Sequence, residues 1–143
     1  MRLWHYKLLP YLPDAQFRGQ LRELVAIMHD WRDKGRTDHL LINKVMEYDK
    51  SELSAYFQYY RSLYYKRYNK SISQKTNEEF VDFSHSKSMP VFDGWHTKEY
   101  LRSNMANLWE KHTMGVGKSR ITDEEWQRLL DGYKNITGED YVI

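Results

Sequence analysis

The sequence of 143 residues contains no cysteine, only three prolines and seven glycines, and no long apolar run. The absence of cysteine excludes disulfide scaffolds, thiol catalysis and cysteine-based zinc or iron–sulfur sites. No stretch approaches the roughly 18 apolar residues of a membrane span, and the first residues lack the charged and then apolar pattern of a signal peptide. We therefore expect a cytoplasmic protein that does not associate with membranes and whose mature chain begins at Met1.

The composition is that of a folded protein. Hydrophobic residues make up 41% of the chain and charged residues 29%, and a chain of this length has room for one domain with one core. Apolar residues recur at helical spacing, whereas no alternating strand pattern, internal repeat or low-complexity tract is present. The sequence predicts an all-α fold, a compact single-domain helical bundle with about four to five helices.

Spacing and capping signals place the helices. Four are expected, over about residues 15–28, 51–68, 97–112 and from Thr122 onward. Asp14 is the expected N-cap of the first helix, and Thr122 with Glu125 forms a capping box for the last. Thr76 and Glu79 predict a weaker capping box for a short turn. Residues 30–39 and 83–94 are expected to be loops, and residues 40–46 a helix or a buried turn.

Positive charge is concentrated in the first half of the chain. Residues 1–72 contain 13 Lys and Arg against 8 Asp and Glu, whereas residues 73–143 contain 9 against 12. A basic segment with many tyrosines is typical of a surface that binds nucleic acid, because phosphates attract cations and bases stack on aromatic rings. A solvated surface of mixed charge is the alternative that charge alone leaves open.

The polar side of the first predicted helix carries groups with catalytic chemistry. Gln16, Gln20 and Glu23 recur at i, i+4 and i+7, and Arg18 and Arg22 follow the neighbouring line, so all five are expected on one surface. A glutamate beside Arg22 is expected to stay ionised at neutral pH and to stabilise a developing cation. A simple surface ion pair between Arg22 and Glu23 is the alternative interpretation.

Two patterns that would indicate a cofactor are incomplete. The string Gly115–Ser119 imitates the end of a phosphate-binding loop, but the required first glycine falls at His112 and no predicted strand precedes it. The six histidines form no i, i+4 pair and have no carboxylates nearby at ligand spacing. The sequence therefore predicts neither a metal site nor an organic cofactor.

Several short motifs resemble those of one family. The first 28 residues, with Leu12-Pro13-Asp14, Gln16 and the run Gln20-Leu21-Arg22-Glu23-Leu24, resemble the phage-type endonuclease V family of pyrimidine dimer DNA glycosylases. Residues 47–50 and 65–69 are similar to the family's second long helix, and residues 95–108 resemble the C-terminal helix of its bacterial members. The resemblance covers residues 1–112 and leaves residues 113–143 as a C-terminal helical extension.

The resemblance implies a small DNA-repair enzyme with glycosylase and abasic-site lyase activity. In this family the amino group of the first residue attacks the sugar C1′ at a UV-induced dimer, expels the base and leaves an imine, and proton abstraction at C2′ then drives β-elimination. An α-amine suits this role, because its reference pKa of about 7.7–8.0 leaves a useful fraction neutral near pH 7. The phage enzyme exposes a threonine amine by losing its initiator methionine. The bulk of Arg2 prevents that removal here, so Met1 is expected to supply the nucleophile.

The remaining site residues follow from the same resemblance. The family's essential carboxylate corresponds to Glu23, which would stabilise the cationic sugar and the imine and assist proton transfers. A one-residue shift between Met1 and Glu23 is required, and residues 10–13 can absorb it. The resemblance also implies DNA contacts around the lesion from Arg2, Arg22 and Gln16. Our own expectation adds phosphate contacts from Arg18, Lys66 and Arg67.

The expected partner is damaged double-stranded DNA, and the protein is expected to be a monomer. Two other function classes stay open on the sequence alone. One is a non-catalytic helical domain that binds nucleic acid, and the other is a protein-interaction module that uses the tyrosine-rich second helix. An enzyme should cut abasic DNA in the presence of a chelator, a binder should retain DNA without cutting it, and an interaction module should ignore DNA at moderate salt.

Overall fold

A computed structural model describes residues 1–143, and the chain contains helices and no strands. Five α-helices are present, at Asp14–Lys34 (α1), Lys50–Tyr68 (α2), Gln74–Phe83 (α3), Lys98–Met114 (α4) and Asp123–Thr137 (α5). Three 3-10 helices lie at Tyr6–Tyr11, Ile42–Glu47 and Gly117–Ser119. The predicted all-α class and the predicted number of helices are confirmed. None of the helices has both the length and the apolar character needed to cross a membrane.

Helix α1 is longer than the sequence predicts. Asp14 is its first residue rather than its N-cap, and the Asp14 carboxylate accepts a hydrogen bond from Arg18 Nε at 2.9 Å. The loop expected from residue 30 begins at Gly35, whose φ of +71° is the left-handed conformation that ends a helix. Residues 30–34 continue the helix because no glycine or proline interrupts them, and the Trp31 ring packs edge-on against Phe83 with centroids 5.5 Å apart.

The chain divides into two compact units, and the boundary falls within α1. The first unit comprises Met1–Leu3 and Leu21–Trp95, and the second comprises Trp4–Gln20 and His96–Ile143. Each unit is therefore built from an amino-terminal piece and a later, longer piece of the chain. The proposed boundary between a family-like part and an extension at residue 112 stays a prediction.

The first unit has its core between α2 and α3. The Phe57 and Phe80 rings stack almost in parallel, with centroids 3.8 Å apart, and both side chains are buried. In α2 the apolar residues Leu53, Tyr56 and Tyr60, which recur every three or four positions in the sequence, are buried. Spacing alone thus identified the side of α2 that packs, because the apolar positions recur every three or four residues.

The predicted short turn around residue 76 is instead helix α3. The Ser73 hydroxyl caps it by accepting a hydrogen bond from the Thr76 N–H at 3.3 Å, so the expected capping box of Thr76 and Glu79 is wrong. Glu79 is engaged elsewhere, since its Oε2 lies 2.6 Å from His29 Nε2 on α1. Residues 40–46, left open as helix or turn, largely form the 3-10 helix Ile42–Glu47.

The second unit contains the best-predicted element, α5. The Glu125 N–H donates to Thr122 Oγ1 at 3.1 Å and the Thr122 N–H donates to Glu125 Oε1 at 2.9 Å, which confirms the capping box. Helix α4 also begins where predicted, with Thr97 as its N-cap. Both starts were predictable because capping depends on residues only three positions apart.

Helix α5 packs against the 3-10 helix Tyr6–Tyr11. Gly132 makes this approach possible, because a Cβ at that position would lie 2.4 Å from Tyr11 Cγ. Arg128 Nη2 donates to the Pro10 carbonyl at 2.8 Å, and Asn135 Nδ2 donates to the Tyr11 hydroxyl at 3.2 Å. The last helix thereby holds a segment from the beginning of the chain.

We expect Gly132→Ala to destabilise the protein by about 1–3 kcal/mol, because the new methyl group overpacks the Tyr11 ring. In a helix without that ring the same change would stabilise by about 1 kcal/mol. Urea unfolding measures both effects if Gly132→Ala is also made in a Tyr11→Ala background, where it should become stabilising. A gain of stability in the wild-type background would contradict the close contact.

Candidate active site

In the first unit, the amino-terminal residues lie against α1. The Arg2 N–H donates a hydrogen bond to Glu23 Oε2 at 2.8 Å. Met1 precedes this anchored residue and is 36% exposed, so the end of the chain is accessible to solvent. The backbone of residue 2 is thus fixed to the carboxylate, and the α-amine belongs to the residue immediately before it.

The Glu23 carboxyl has a pKa above its ordinary value. Burial is the largest cause, because the ionised form loses solvation. The Arg2 N–H, the positive α-amine and the Arg2 and Arg22 side chains all oppose this effect and stabilise the carboxylate. The expectation that Arg22 alone would keep Glu23 ionised is therefore incomplete, since burial outweighs the cations around it.

The amine and the carboxyl form a pair with complementary chemistry. A raised pKa increases the protonated fraction of a carboxyl, and a carboxyl that takes both forms can donate a proton in one step and accept one in another. The α-amine is a nucleophile in its neutral form, and its charge is felt by Glu23. The arrangement suits a reaction in which an amine attacks an electrophilic carbon and a nearby acid or base moves the protons.

Four of the cationic residues predicted to contact DNA belong to the first unit, where they lie at two places. Arg2 is half-buried and Arg22 is exposed, both beside Glu23. Lys66 is exposed and Arg67 half-buried in the last turn of α2. Residues 53–77, here called the basic segment, contain five Lys and Arg and no Asp or Glu. The basic segment therefore has a net charge of +5, and an excess of positive charge attracts polyanions.

The other two predicted residues lie in the second unit. Arg18 is ion-paired with Asp14, and both side chains are more than half exposed. Gln16 is half-buried, and its Nε2 donates to the Ser119 carbonyl at 3.0 Å while its Oε1 is buried without a donor. The contacts predicted between these residues and DNA stay predictions.

Gln20 does not share the exposed surface on which helical spacing had placed it. The side chain is fully buried in the second unit, and its Oε1 accepts a hydrogen bond from the Trp4 N–H at 2.8 Å. Sequence reasoning missed this role because the partner is a backbone group 16 residues away. One signal in the sequence could have indicated burial: Gln20 lies three positions after Phe17 and four before Leu24, on the apolar side of α1.

A buried cluster of polar side chains, formed by His5, His96 and Asn104, was also not predicted from the sequence. The His5 N–H donates to Asn104 Oδ1 at 2.7 Å, and the Tyr6 N–H donates to His96 Nδ1 at 3.2 Å. Burial lowers the pKa of His5 to about 4, so this ring is neutral at physiological pH. These side chains accept hydrogen bonds from the backbone N–H groups at the start of the second unit.

No group of three or more His, Asp or Glu side chains is arranged to hold a metal ion.

The chain was also compared with known proteins. A sequence model of a family described as pyrimidine dimer DNA glycosylase matches residues 1–76, about half of the chain. The matched range contains all eight predicted site residues, whereas the likeness predicted for residues 95–112 lies outside it. No curated protein and no solved structure matches the chain.

Glu23→Gln is expected to raise stability at neutral pH. The pKa of Glu23 is raised from 4.5 in the folded protein, so its stabilising contribution is complete below that value and is lost as the pH rises through the folded pKa. Glutamine keeps an oxygen for the Arg2 N–H but never ionises. Thermal unfolding between pH 4 and 8 should therefore show a Tm difference from wild type that grows with pH.

The matched control is Glu47→Gln, because the Glu47 side chain is 67% exposed in the same unit. Its Tm difference from wild type should be small. If both variants show the same pH dependence, the burial of Glu23 is not the cause.

Proposed function

Because the chain belongs to the pyrimidine dimer DNA glycosylase family, we propose that it excises UV-induced pyrimidine dimers and then cleaves the backbone at the abasic site. The observation that supports this most directly is the hydrogen bond of 2.8 Å between the Arg2 N–H and Glu23 Oε2. It holds the first peptide of the chain against a carboxyl with a raised pKa. An amine nucleophile and an acid–base group are the two components that the reaction needs.

The first chemical step is displacement at the sugar. The neutral α-amine of Met1 attacks C1′, the glycosidic C–N bond breaks, and the base leaves with the bonding electron pair. Loss of the amine's extra proton and opening of the sugar ring give an imine between Met1 and C1′. Protonated Glu23 supplies a proton to the departing groups, and ionised Glu23 then stabilises the positive iminium.

The second step breaks the DNA backbone. A base removes a proton from C2′, the electron pair moves into the C1′–C2′ bond, and the 3′ phosphate leaves by β-elimination. The ionised form of Glu23 is suited to accept this proton, and water then hydrolyses the imine to free the Met1 amine. Neither step calls for a metal or an organic cofactor.

DNA binding is assigned to the basic residues. Arg2 and Arg22 lie beside Glu23, which supports the proposal that they contact the DNA around the lesion. Arg18, Lys66 and Arg67 are proposed as further phosphate contacts. Gln16 reaches DNA only if its amide leaves the Ser119 carbonyl. A pyrimidine dimer already weakens pairing and stacking, so a damaged duplex costs less to deform than intact DNA, which favours the lesion without extensive reading of bases.

Borohydride trapping tests the proposed nucleophile. Untagged protein with its native amino terminus is incubated with an abasic-site duplex and chelator, reduced, and digested for peptide mass spectrometry. We expect an adduct on the α-amine of Met1. Glu23→Gln should still bind the duplex but cleave it about 10²–10⁴-fold more slowly, the usual contribution of a general acid–base group.

Glu47→Gln serves as the control and should cleave like wild type, because its side chain is exposed and lies outside the proposed site. Binding without any adduct or cleavage would instead support a non-catalytic nucleic-acid-binding domain. Absence of DNA binding at moderate salt would favour the protein-interaction module.

Salt dependence tests the phosphate contacts of the basic segment. Each lost contact should reduce the slope of log K against log salt by about 0.9 for duplex DNA. Lys66→Ala is expected to show this reduction and a uniform loss of affinity across sequences. Lys98→Ala removes the same charge from a lysine that is paired with Glu139 in the second unit, and should leave the slope unchanged. Equal slopes of log K against log salt in the two variants would contradict a phosphate contact by Lys66.

A further inference from the structure

One tyrosine of α2 differs from the others in its exposure. Tyr65 is 56% exposed and contacts no other ring, whereas the other five tyrosines of the helix are buried or half-buried. The Tyr64 ring, for comparison, packs against Tyr60 and Tyr68 with centroids 6.2 Å and 4.8 Å apart. An aromatic ring left in water is stabilised when a planar group covers its face, so Tyr65 offers a platform for stacking.

Tyr65 lines a cleft on the surface of the first unit. The cleft has a volume of about 260 Å³, and its lining residues are Gln58, Arg61, Ser62, Tyr65 and Ser71. The four that belong to α2 recur at i, i+3, i+4 and i+7, which is one face of the helix. The lining thus combines a guanidinium, an amide, two hydroxyls and an aromatic ring, and it contains no carboxylate.

Arg61 supplies the positive charge of the cleft. Its side chain is exposed and has no ion pair, and its hydrogen bond from Nη1 to Gln58 Oε1 is long at 3.4 Å. By contrast, Arg18 and Arg32 are each ion-paired with an aspartate. The basic segment around Arg61 contains no acid. The guanidinium is therefore available to an anion, and its planar group of donors suits a phosphate.

A neighbouring cleft limits the direction that an anion can take. It has a volume of about 610 Å³ and shares Arg61 and Ser71 with the first cleft, but its other wall is α3, which carries Glu78 and Asp82. Both carboxylates are exposed, and neither is ion-paired with Arg61. Like charges repel, so an anionic chain at Arg61 is directed away from α3 and toward Lys66 in the last turn of α2.

The chemistry of the lining identifies the ligand. A guanidinium and hydroxyl groups donate hydrogen bonds to phosphate, and the Ser71 hydroxyl is exposed and forms no hydrogen bond within the protein. Stacking on Tyr65 requires a planar ring with a free face. An unpaired nucleotide has both groups, whereas the bases of a duplex are covered by their neighbours. Sites for single strands combine a basic surface with aromatic side chains in this way.

We infer that this cleft is a subsite for one unpaired nucleotide of single-stranded DNA, whose phosphate binds Arg61 and whose base stacks on Tyr65. The inference rests on the proposed function, because that function makes DNA the polymer that the protein meets. Every base has a flat face, so the subsite adds affinity that does not depend on the base sequence.

Binding of a single strand tests the role of Tyr65. Full-length protein is titrated into an undamaged, fluorescein-labelled oligodeoxynucleotide of about 12 nucleotides, and fluorescence anisotropy gives the association constant K. Tyr65→Ser is expected to weaken binding about tenfold, which corresponds to the loss of one stacked base. Tyr65→Phe keeps the ring and should bind like wild type.

Salt dependence of the same binding tests the role of Arg61. Loss of one phosphate contact on a single strand should reduce the slope of log K against log salt by about 0.7, and we expect this reduction for Arg61→Gln. Arg120→Gln is the matched control, because Arg120 is also exposed and without an ion pair but lies in the second unit. Its slope should equal that of wild type.

Photocrosslinking locates the base directly. An oligodeoxynucleotide that carries 5-iododeoxyuridine is irradiated in complex with the protein, and the adduct is located by peptide mass spectrometry. Because the iodinated base reacts with an aromatic ring on which it stacks, we expect the adduct on Tyr65. An adduct confined to other residues would contradict the subsite.

The remaining outcomes separate the subsite from the proposed function. Unchanged affinity in Tyr65→Ser, or equal slopes in Arg61→Gln and Arg120→Gln, would overturn the subsite alone if wild type cleaves abasic duplex DNA. Failure of wild type to bind or cleave any DNA would overturn both. Binding of polyglutamate as tightly as the oligonucleotide would assign the cleft to an acidic protein instead. An equal loss of affinity in Val81→Ser would place the strand in the neighbouring cleft, which Val81 lines.

Discussion

The hydrogen bond between the Arg2 N–H and Glu23 is the constraint on which the candidate site depends. Chain ends fray unless something ties them down, and a reactive amine on a frayed end would sample many positions. Here the second residue is fixed to a half-buried carboxyl. The α-amine of Met1 is therefore confined to the neighbourhood of Glu23. In the reaction proposed above, such pre-positioning would convert part of the entropic cost of reaction into a cost of folding.

In each unit, a side chain of α1 accepts a hydrogen bond from a backbone N–H near the beginning of the chain. In the first unit Glu23 accepts from the Arg2 N–H, and in the second unit Gln20 accepts from the Trp4 N–H. The two acceptors are one helical turn apart, and the two donors are two residues apart. Gln20 and Glu23 differ in charge, and this difference accounts for the difference in their burial. The neutral amide of Gln20 is fully buried at little electrostatic cost, whereas the ionisable Glu23 keeps partial access to solvent.

Local signals predicted the helices better than their ends or their contacts. The capping box of Thr122 and Glu125 and the apolar face of α2 depend on residues a few positions apart, and both were read correctly from the sequence. The last turns of α1 pack through Trp31 against Phe83, and Glu79 is bound to His29 on α1, while Ser73 caps α3. These contacts cross about 50 residues of sequence, so spacing alone could not reveal them.

The candidate site shows the same division. Glu23 was identified from its position on α1 and from a resemblance, but the direction of its pKa shift follows from burial, which depends on the folded chain. Gln20 was grouped with Glu23 on a helical line and is in fact buried. The cleft lined by Arg61 and Tyr65 was not predicted, because Ser71, which also lines it, lies beyond the end of α2 and is brought to the cleft only by the fold.

The packing of α5 on the 3-10 helix Tyr6–Tyr11 bears on the order of events during synthesis. Its contacts join residues 118 and 124 positions apart, among the longest separations in the chain. At a translation rate of about 5–20 residues per second, the early segment waits about 6–25 s for its partner. The second unit can therefore close only when the last helix has left the ribosome.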